Sequence, residues 1–570
     1  MPKTSTTKGR SRSDRADGNP PVEVTFLGGL GSIGRNMATI EVDGRVAVVD
    51  CGVLFPDAEH LGVDLILPDW RWLVARGDDI EAVFLTHGHL DHIGALPYLL
   101  RDLGRSLPVY GTKLTLAFVA SILREWPDLV PPDLREIVPG TTIEHAPFTV
   151  DVVQVSHSIP DGCAFAFMTP HGTIVHTGDI KLDQTPIDGL PTDLAHFARI
   201  GDRGVDLLLA DSTNADVPGH IPSERTVGAA IREALSHAEG LVVVASFASH
   251  VHRIQQILNE AAAFGRRPVF VGRSMINNMA IAQELGYLQF DPKLEVAMED
   301  VERHDRSGLI VVSTGSQGEP FSALSLMSSG DHRHLALGPG DLVILASSLI
   351  PGNEQAVYRS INNLARRGVD VVHGGIAAVH VSGHAAADDL AILHNVLEPE
   401  YFIPVHGEHR HMMAHRRVAV ATGCPPEQVL VCEDGDRVML EDGVVRRGDP
   451  VPTSHVYIDG LLPDVGPAML RDRRRLGEDG ICIAVVTIDT RKGERASDSV
   501  ITQRGVVLGD HVEDLLSTAR STVDASIDRL TRARREDTAA VQREVVQTLG
   551  RFWKQETGRR PVILPVIQEL

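Results

Sequence analysis

The sequence predicts an α/β protein of several domains, one sheet-based domain being interrupted by a second and followed by a third. Three observations predict it. The chain has 570 residues, more than one ordinary domain holds. Short apolar strands that end in His or Asp recur up to about residue 220 and return after residue 400. Between them helices and strands alternate, the pattern of a parallel sheet.

Composition limits the function classes. Hydrophobic residues make up 43%, enough for sizeable cores, and no apolar run of about 18 residues marks a membrane span. The five cysteines, Cys51, Cys163, Cys424, Cys432 and Cys482, form no CxxC pair, which fits a reducing cytoplasm better than a disulfide framework. A formal net charge of −22 excludes a protein that coats nucleic acid with a diffuse basic surface, so a polyanionic substrate must be held locally. Residues 1–20 form a polar, basic arm without the apolar core of a signal peptide, read as disordered; its basic residues either touch nucleic acid or are solvated.

In chain order, Val22 to Leu27 is a strand, and a GxGxxG string comes next at Gly29, Gly31 and Gly34. A dinucleotide fingerprint must open a helix. The residues after this string alternate as a hairpin instead, Ala38 to Asp43 and Arg45 to Asp50, so the glycines read as a tight loop beside a site. Ala82 to Leu85 is a buried strand that runs into Thr86-His87-Gly88-His89-Leu90-Asp91-His92. Imidazole and carboxylate at this density suit a first-row metal, most often zinc. Ile93 to Leu103 and Lys113 to Glu125 read as helices. Thr149 to Val155 ends near His157, Thr173 to His176 near Asp179, and Val205 to Ala210 at Asp211. The α/β insertion spans 224–379, and its hydroxyl-rich turns before helices, Ser246 to His250 among them, either accept phosphate oxygens or are ordinary caps. The first domain, 21–223, resumes over 380–448 with His380-Val381-Ser382-Gly383-His384 and a strand delivering His406. Residues 449–464 read as a linker and 465–570 as a small α+β domain, with one helical stretch from Val512 to Leu549. Its basic cluster Arg471, Arg473, Arg474 and Arg475 serves either RNA or a partner, or is a solvated face.

Seven strand-end residues are too many for one tetrahedral metal. They suit two ions: His87, His89 and His157 on one, Asp91, His92 and His406 on the other, Asp179 bridging. Two such ions about 3.5–4 Å apart activate a water and stabilise in-line displacement at phosphorus. His384 is either the proton donor to the leaving group or a helix-start histidine bonded to backbone.

These strings resemble a known family. THGHLDH, SHSIPD, TGD and PVHGE resemble the metallo-β-lactamase fold, an αββα sandwich, and DSTN and HVSGH flank an insertion similar to the β-CASP domain of nucleic-acid hydrolases. FLGGLGSIGRN, SFAS, STGSQGEP, HVSGHA and RRPVILPVI together resemble bacterial ribonuclease J from about Val22 to Leu570. The resemblance implies a cytoplasmic two-zinc ribonuclease, with manganese or magnesium an option at a looser second site. It implies 5′→3′ exonuclease and endonuclease activity on single-stranded RNA in mRNA decay and rRNA maturation, by attack of a hydroxide on the phosphodiester. Asp179, Asp211 and His384 become the catalytic residues. Ser249, His250, Val251 and His380 to His384 (His380, Val381, Ser382, Gly383, His384) become the grip on a 5′-monophosphate. His250 stands where the resemblance leads one to expect asparagine, which makes the grip pH-dependent. Partners implied are mRNA and rRNA precursors, a homodimer or homotetramer, and other RNA-decay enzymes, with no membrane. A small-molecule hydrolase of the same fold would lack the roughly 160 residues between Ser223 and His384, and a scaffold without metals would not keep all seven ligands.

Overall fold

The computed structural model describes residues 20–570 apart from 58, 320, 349–352, 461, 464, 508, 510 and 511, so the basic arm lies outside the described residues but for Pro20. Two compact units emerge, one containing Leu65–His455 with the residues up to Phe55, the other Pro56–Asp64 with Val456–Leu570.

The first unit is built on two facing sheets. One has eight strands, in the order Val444–Arg447, Arg437–Glu441, Val22–Gly28, Met37–Val42, Arg45–Val49, Ile80–Phe84, Pro108–Gly111 and Asp133–Glu136. The other has six, in the order Tyr401–Val405, Leu207–Asp211, Gly172–His176, Cys163–Thr169, Phe148–Gln154 and Thr142–His145. Alternation puts one face of each into a shared core, where Phe26, Ile40 and Phe84 meet Phe148, Phe165 and Phe167. Phe84 stacks on Tyr110 at 5.0 Å and meets Phe165 and Phe167 edge-on at 5.7 and 5.5 Å. The outer face of the second sheet packs under Leu194–Arg203 and Ala387–Leu397 through Phe197, Ile200, Leu393 and Leu397.

Three parallel strands of that second sheet fix the site. Gly172–His176 pairs with Leu207–Asp211, which pairs with Tyr401–Val405. Their common C-terminal edge delivers Asp179, Asp211 and His406 side by side. The glycine string makes a loop whose Leu30 and Ser32 bridge to Gly407, and the chain resumes as strand Met37–Val42, with no helix after it.

The insertion is a parallel sheet in the order Arg267–Val271, Leu309–Ser313, Val242–Ala245, Leu342–Leu345 and Asp370–Val372, with its own apolar core. The host segments on either side of it are joined: Asn214 bridges to Ala386, and the Asn214 amide donates to Ser382 Oγ (2.7 Å) and the His384 carbonyl (3.1 Å).

In the second unit Ile481–Asp489 pairs antiparallel with Val500–Arg504 and parallel with Val562–Glu569, under helices that bury Val523, Leu549 and Trp553. Two expected helices divide. Ile93 to Leu103 is two pieces, Leu90–Ile93 and Leu96–Leu103. Val512 to Leu549 is Val512–Asp528, a short turn of helix, and Thr538–Thr557, the last opened by Asp537, which accepts from the Ala539 amide. A charge-rich stretch keeps its period across such a break, so periodicity alone does not reveal it. The arginine cluster sits on Pro467–Asp479, where Arg473 pairs with Asp459 and Arg474 with Glu59 at 2.8 Å, so half of its charge is met by acids. Among the described residues no helix is long and apolar enough to cross a membrane.

Because Phe84 joins the two sheets through Phe165 and Phe167 and stacks on Tyr110 in its own, Phe84→Ala is expected to cost about 3–5 kcal/mol. A denaturation midpoint shifted to lower denaturant at unchanged slope checks this.

Candidate metal centre

Every predicted strand-end residue reaches one place. His87 Nε2 lies 3.0 Å from His89 Nδ1, and His157 Nε2 lies 3.2 Å from the same atom. Asp179 faces two ways. Its Oδ2 is 3.5 Å from both His87 Nε2 and His157 Nε2, while its Oδ1 is 3.3 Å from His92 Nε2 and 2.8 Å from His406 Nδ1. Asp91 Oδ2 completes the second half, 3.6 Å from His92 Nε2 and 3.4 Å from His406 Nε2. The possible ligand atoms of His87, His89, His157 and Asp179 lie within 4.8 Å of one another, as do those of Asp91, His92, Asp179 and His406. A third group, Asp179, Asp211, His384 and His406, meets the same limit.

The surroundings decide which nitrogens are free. Asp50, a carboxylate that only accepts, takes His92 Nδ1–H at 2.7 Å. It also takes the Thr86 amide at 2.8 Å and the Thr86 hydroxyl at 2.8 Å. With its one hydrogen spent on Asp50, Thr86 Oγ1 can only accept from His87 Nδ1, 3.0 Å away. The Gly383 carbonyl takes His157 Nδ1–H at 2.7 Å. Each Nδ1 is therefore protonated, and the neutral rings of His87 and His157 turn a bare Nε2 inward, the arrangement that orients metal-binding histidines. Gly383 permits this closeness, since a Cβ there would stand 2.8 Å from His157 Cε1.

These donors fit a divalent cation. One hydrogen on His89 Nδ1 could satisfy only one of the two bare Nε2 atoms beside it. Asp179 Oδ1 and His406 Nε2 are buried without a hydrogen bond. Polar atoms left unmet in a buried site are costly, and a carboxylate oxygen such as Asp179 Oδ1 calls for something positive beside it.

Charge divides the centre. Burial and the neighbouring His92 hold His87 well below the usual histidine range, and burial brings His89 to about 4 and His157 well below it. Burial opposes the charged form of His92 and His406, yet Asp179 and its fellow carboxylates raise both well above that range. His384 is raised in the same way, because Asp211 Oδ2, 2.8 Å from its Nδ1, outweighs burial.

The sequence-predicted grip lies next to this centre. His250 precedes the helix Val251–Ala263, whose first residue Val251 is buried. Burial and Arg253 hold His250 well below the ordinary range, which disfavours the charged form that the expected pH-dependent grip would use. Ser249 is half-buried, as are Ser382 and His384, while Val381 and Gly383 are buried. His380 accepts from Arg253.

Four domain families match the chain: "Beta-lactamase superfamily domain" over residues 48–244, "Ribonuclease J, beta-CASP domain" over 239–364, "Zn-dependent metallo-hydrolase RNA specificity domain" over 368–431, and "Ribonuclease J C-terminal domain" over 468–570. Proteins named ribonuclease J from Mycolicibacterium smegmatis and Mycobacterium tuberculosis are each 44% identical to it, over 96% of this chain and 97% of theirs. The chain belongs to the ribonuclease J family. Ribonuclease J2 of Bacillus subtilis is 39% identical over 96% of this chain and 99% of its own length. A protein of unknown function from Enterococcus faecalis V583 shares the fold, with a TM-score of 0.52 at 19% identity over 74% of this chain and 100% of that one. The ribonuclease J architecture is thus a metallo-β-lactamase domain with an inserted β-CASP domain and a C-terminal domain.

Sequence reasoning missed residues that hold this ribonuclease J centre in place. Asp50 ends the strand Arg45–Val49, and the strand-end rule that found Asp179 applies to it equally. Asn36, in the glycine loop, places its amide 3.0 Å from His92 Nε2 and 3.1 Å from the Asp91 carbonyl. His176 and Asp50 line, together with His92, Asp179 and His406, a small cavity of about 20 Å³, room for a single water.

Asp50→Asn puts an amide N–H, or a poorer acceptor, against His92 Nδ1–H. Metal binding is expected to weaken about 10–100-fold, measured by titrating metal into the stripped protein. Unchanged affinity would remove Asp50 from the support of the centre.

Proposed function

We propose that this metal-dependent ribonuclease hydrolyses phosphodiester bonds of single-stranded RNA, releasing nucleotides from a 5′-monophosphorylated end and also cutting internally. The observation that carries the reading is the crowding of imidazole nitrogens around both oxygens of Asp179, in a chain of the ribonuclease J family.

His87, His89 and His157 would hold one cation, Asp91, His92 and His406 the other, and Asp179 both; zinc suits these ligands, with manganese or magnesium at a looser second position. When bound, the cations supply Lewis acidity, lowering the pKa of a water and offsetting charge that grows at phosphorus. His384, charged beside Asp211, gives its proton to the departing oxygen. Asp211 holds that ring, and also accepts from the Thr213 amide (2.9 Å) and hydroxyl (2.8 Å), so its direction is fixed. Ser249, His250 and Val251, with His380 to His384, form the proposed 5′-phosphate pocket at the edge of the metal centre.

The domain division we infer is 21–223 and 380–448 for the metallo-β-lactamase part, 224–379 for β-CASP, 449–464 for a linker and 465–570 for the last domain. Turnover of mRNA and trimming of rRNA precursors in the cytoplasm, by a dimer or tetramer, complete the proposal. The family supports it, and the −22 charge agrees with local rather than diffuse capture of RNA.

A 5′-monophosphorylated RNA labelled at its 5′ end should lose mononucleotides, and a chelator should stop the release. Intact RNA in the presence of protein carrying two bound ions would defeat the reading. Asp179→Ala should lose metal and activity together, whereas His384→Ala should slow cleavage about 10²–10⁴-fold at near-normal metal content. A metal-free His384→Ala protein would move His384 among the ligands.

A further inference from the structure

One arginine is spent inside the protein in an unusual way. Arg253 lies in the helix Val251–Ala263 and is 0% exposed. A guanidinium carries five N–H donors and no acceptor, and here each of the five has a partner. Nε donates to Glu224 Oε1 (2.7 Å) and Nη2 to Glu224 Oε2 (2.8 Å). Nη2 also donates to the Val381 carbonyl at 3.3 Å. Nη1 donates to the Ala346 carbonyl (2.6 Å) and to His380 Nδ1 (2.9 Å). One side chain thus ties together the segment that enters the insertion, the helix Val251–Ala263, the end of strand Leu342–Leu345 and the returning HVSGH turn.

The last contact has a chemical consequence. Arginine never accepts, so His380 Nδ1 must be the acceptor and carry no hydrogen. The proton of the neutral ring is then on Nε2. Nε2 has no hydrogen-bond partner among the described residues, and the side chain is only half-buried. Burial, Arg253, Lys181 and His384 all disfavour a second proton on the ring. Glu224 meets the guanidinium charge face to face, so what His380 offers is a directed N–H, not a cation.

We propose that Arg253 is a positioning residue that pins the HVSGH turn and fixes His380 as its Nε2–H tautomer, so that an uncharged, directed donor faces the terminal phosphate of the RNA. The inference rests on the proposed 5′-phosphate pocket. It adds that end selection depends on hydrogen-bond direction set from behind the pocket. Directed donors tell a terminal phosphate from a hydroxyl, whereas a loose positive charge would favour any stretch of RNA backbone.

The full-length protein with ¹⁵N-labelled histidine tests the tautomer directly. The signals that vanish in His380→Gln should show a protonated Nε2 and a bare Nδ1 at pH 7. A protonated Nδ1, or a doubly protonated ring, would overturn the proposal without any change at Arg253. The kinetic test uses the neutral pair Glu224→Gln/Arg253→Gln, which leaves no buried charge alone. Its KM for a 5′-monophosphorylated RNA should rise about tenfold, while KM for the same RNA with a 5′-hydroxyl stays within about twofold. If His380→Gln loses the preference for the phosphorylated end but the pair variant keeps it, the role of Arg253 fails and the pocket stands. Should His380→Gln itself keep the preference, the pocket assignment fails, and this inference with it.

Discussion

A single carboxylate, Asp50, sets the terms for the centre. It sits at φ +59°, a backbone region that costs non-glycine residues energy and persists only when its surroundings hold it. From there it takes hydrogen bonds from Thr86 and His92, and Thr86 in turn commits the Nδ1 of His87. Two imidazoles are thereby aimed before any cation arrives. The third, His157, is aimed from the other side of the insertion by the Gly383 carbonyl. Preorganisation of this kind turns scattered side chains into a cage, since each ring must otherwise choose among tautomers and rotamers that do not bind.

The two-sheet core explains why those side chains arrive together. Strands buried on both faces read as apolar runs, and their ends must emerge at the rim of the sandwich. Register does the rest: Asp211 is opposite Val405, one residue before His406, and His176 is opposite Leu209. His406 itself takes a left-handed backbone, φ +52°, which folds its ring back over the sheet edge toward Asp179 and Asp91. Packing therefore places the chemistry, and local strain at two ligand-side positions is the cost.

Much of this was legible in the sequence because it was written in strand ends. His87, His89, Asp91 and His92 stand in one string, and His157, Asp179, Asp211 and His406 each come after an apolar run. The parallel insertion showed in its alternation, and the failed nucleotide fingerprint showed in the hairpin after it. The hidden part depends on contacts across the chain. Asn36 acts on His92 from 56 residues away, and Arg253 on His380 from 127. An arginine in an amphipathic helix reads as a solvated face, and nothing local tells that its five donors are all met inside. The strand Cys163–Thr169 and the hairpin Arg437–Glu441 with Val444–Arg447 also escaped notice. The first is an apolar run, CAFAFMT, directly after the His157 turn, and the second closes the sheet beside Val22–Gly28 from more than 400 residues away.

The meeting of Asn214 with Ala386 carries a consequence for how such a protein could arise. An insertion whose flanking host segments pair with each other demands little rearrangement of its host. The parental sandwich can acquire such a module without reopening its core, and its ancestral hydrolytic chemistry need not be rebuilt. Descent by grafting would then leave old ligands on the host and new substrate contacts on the guest, with the junction itself, Asn214 to His384, shared by both.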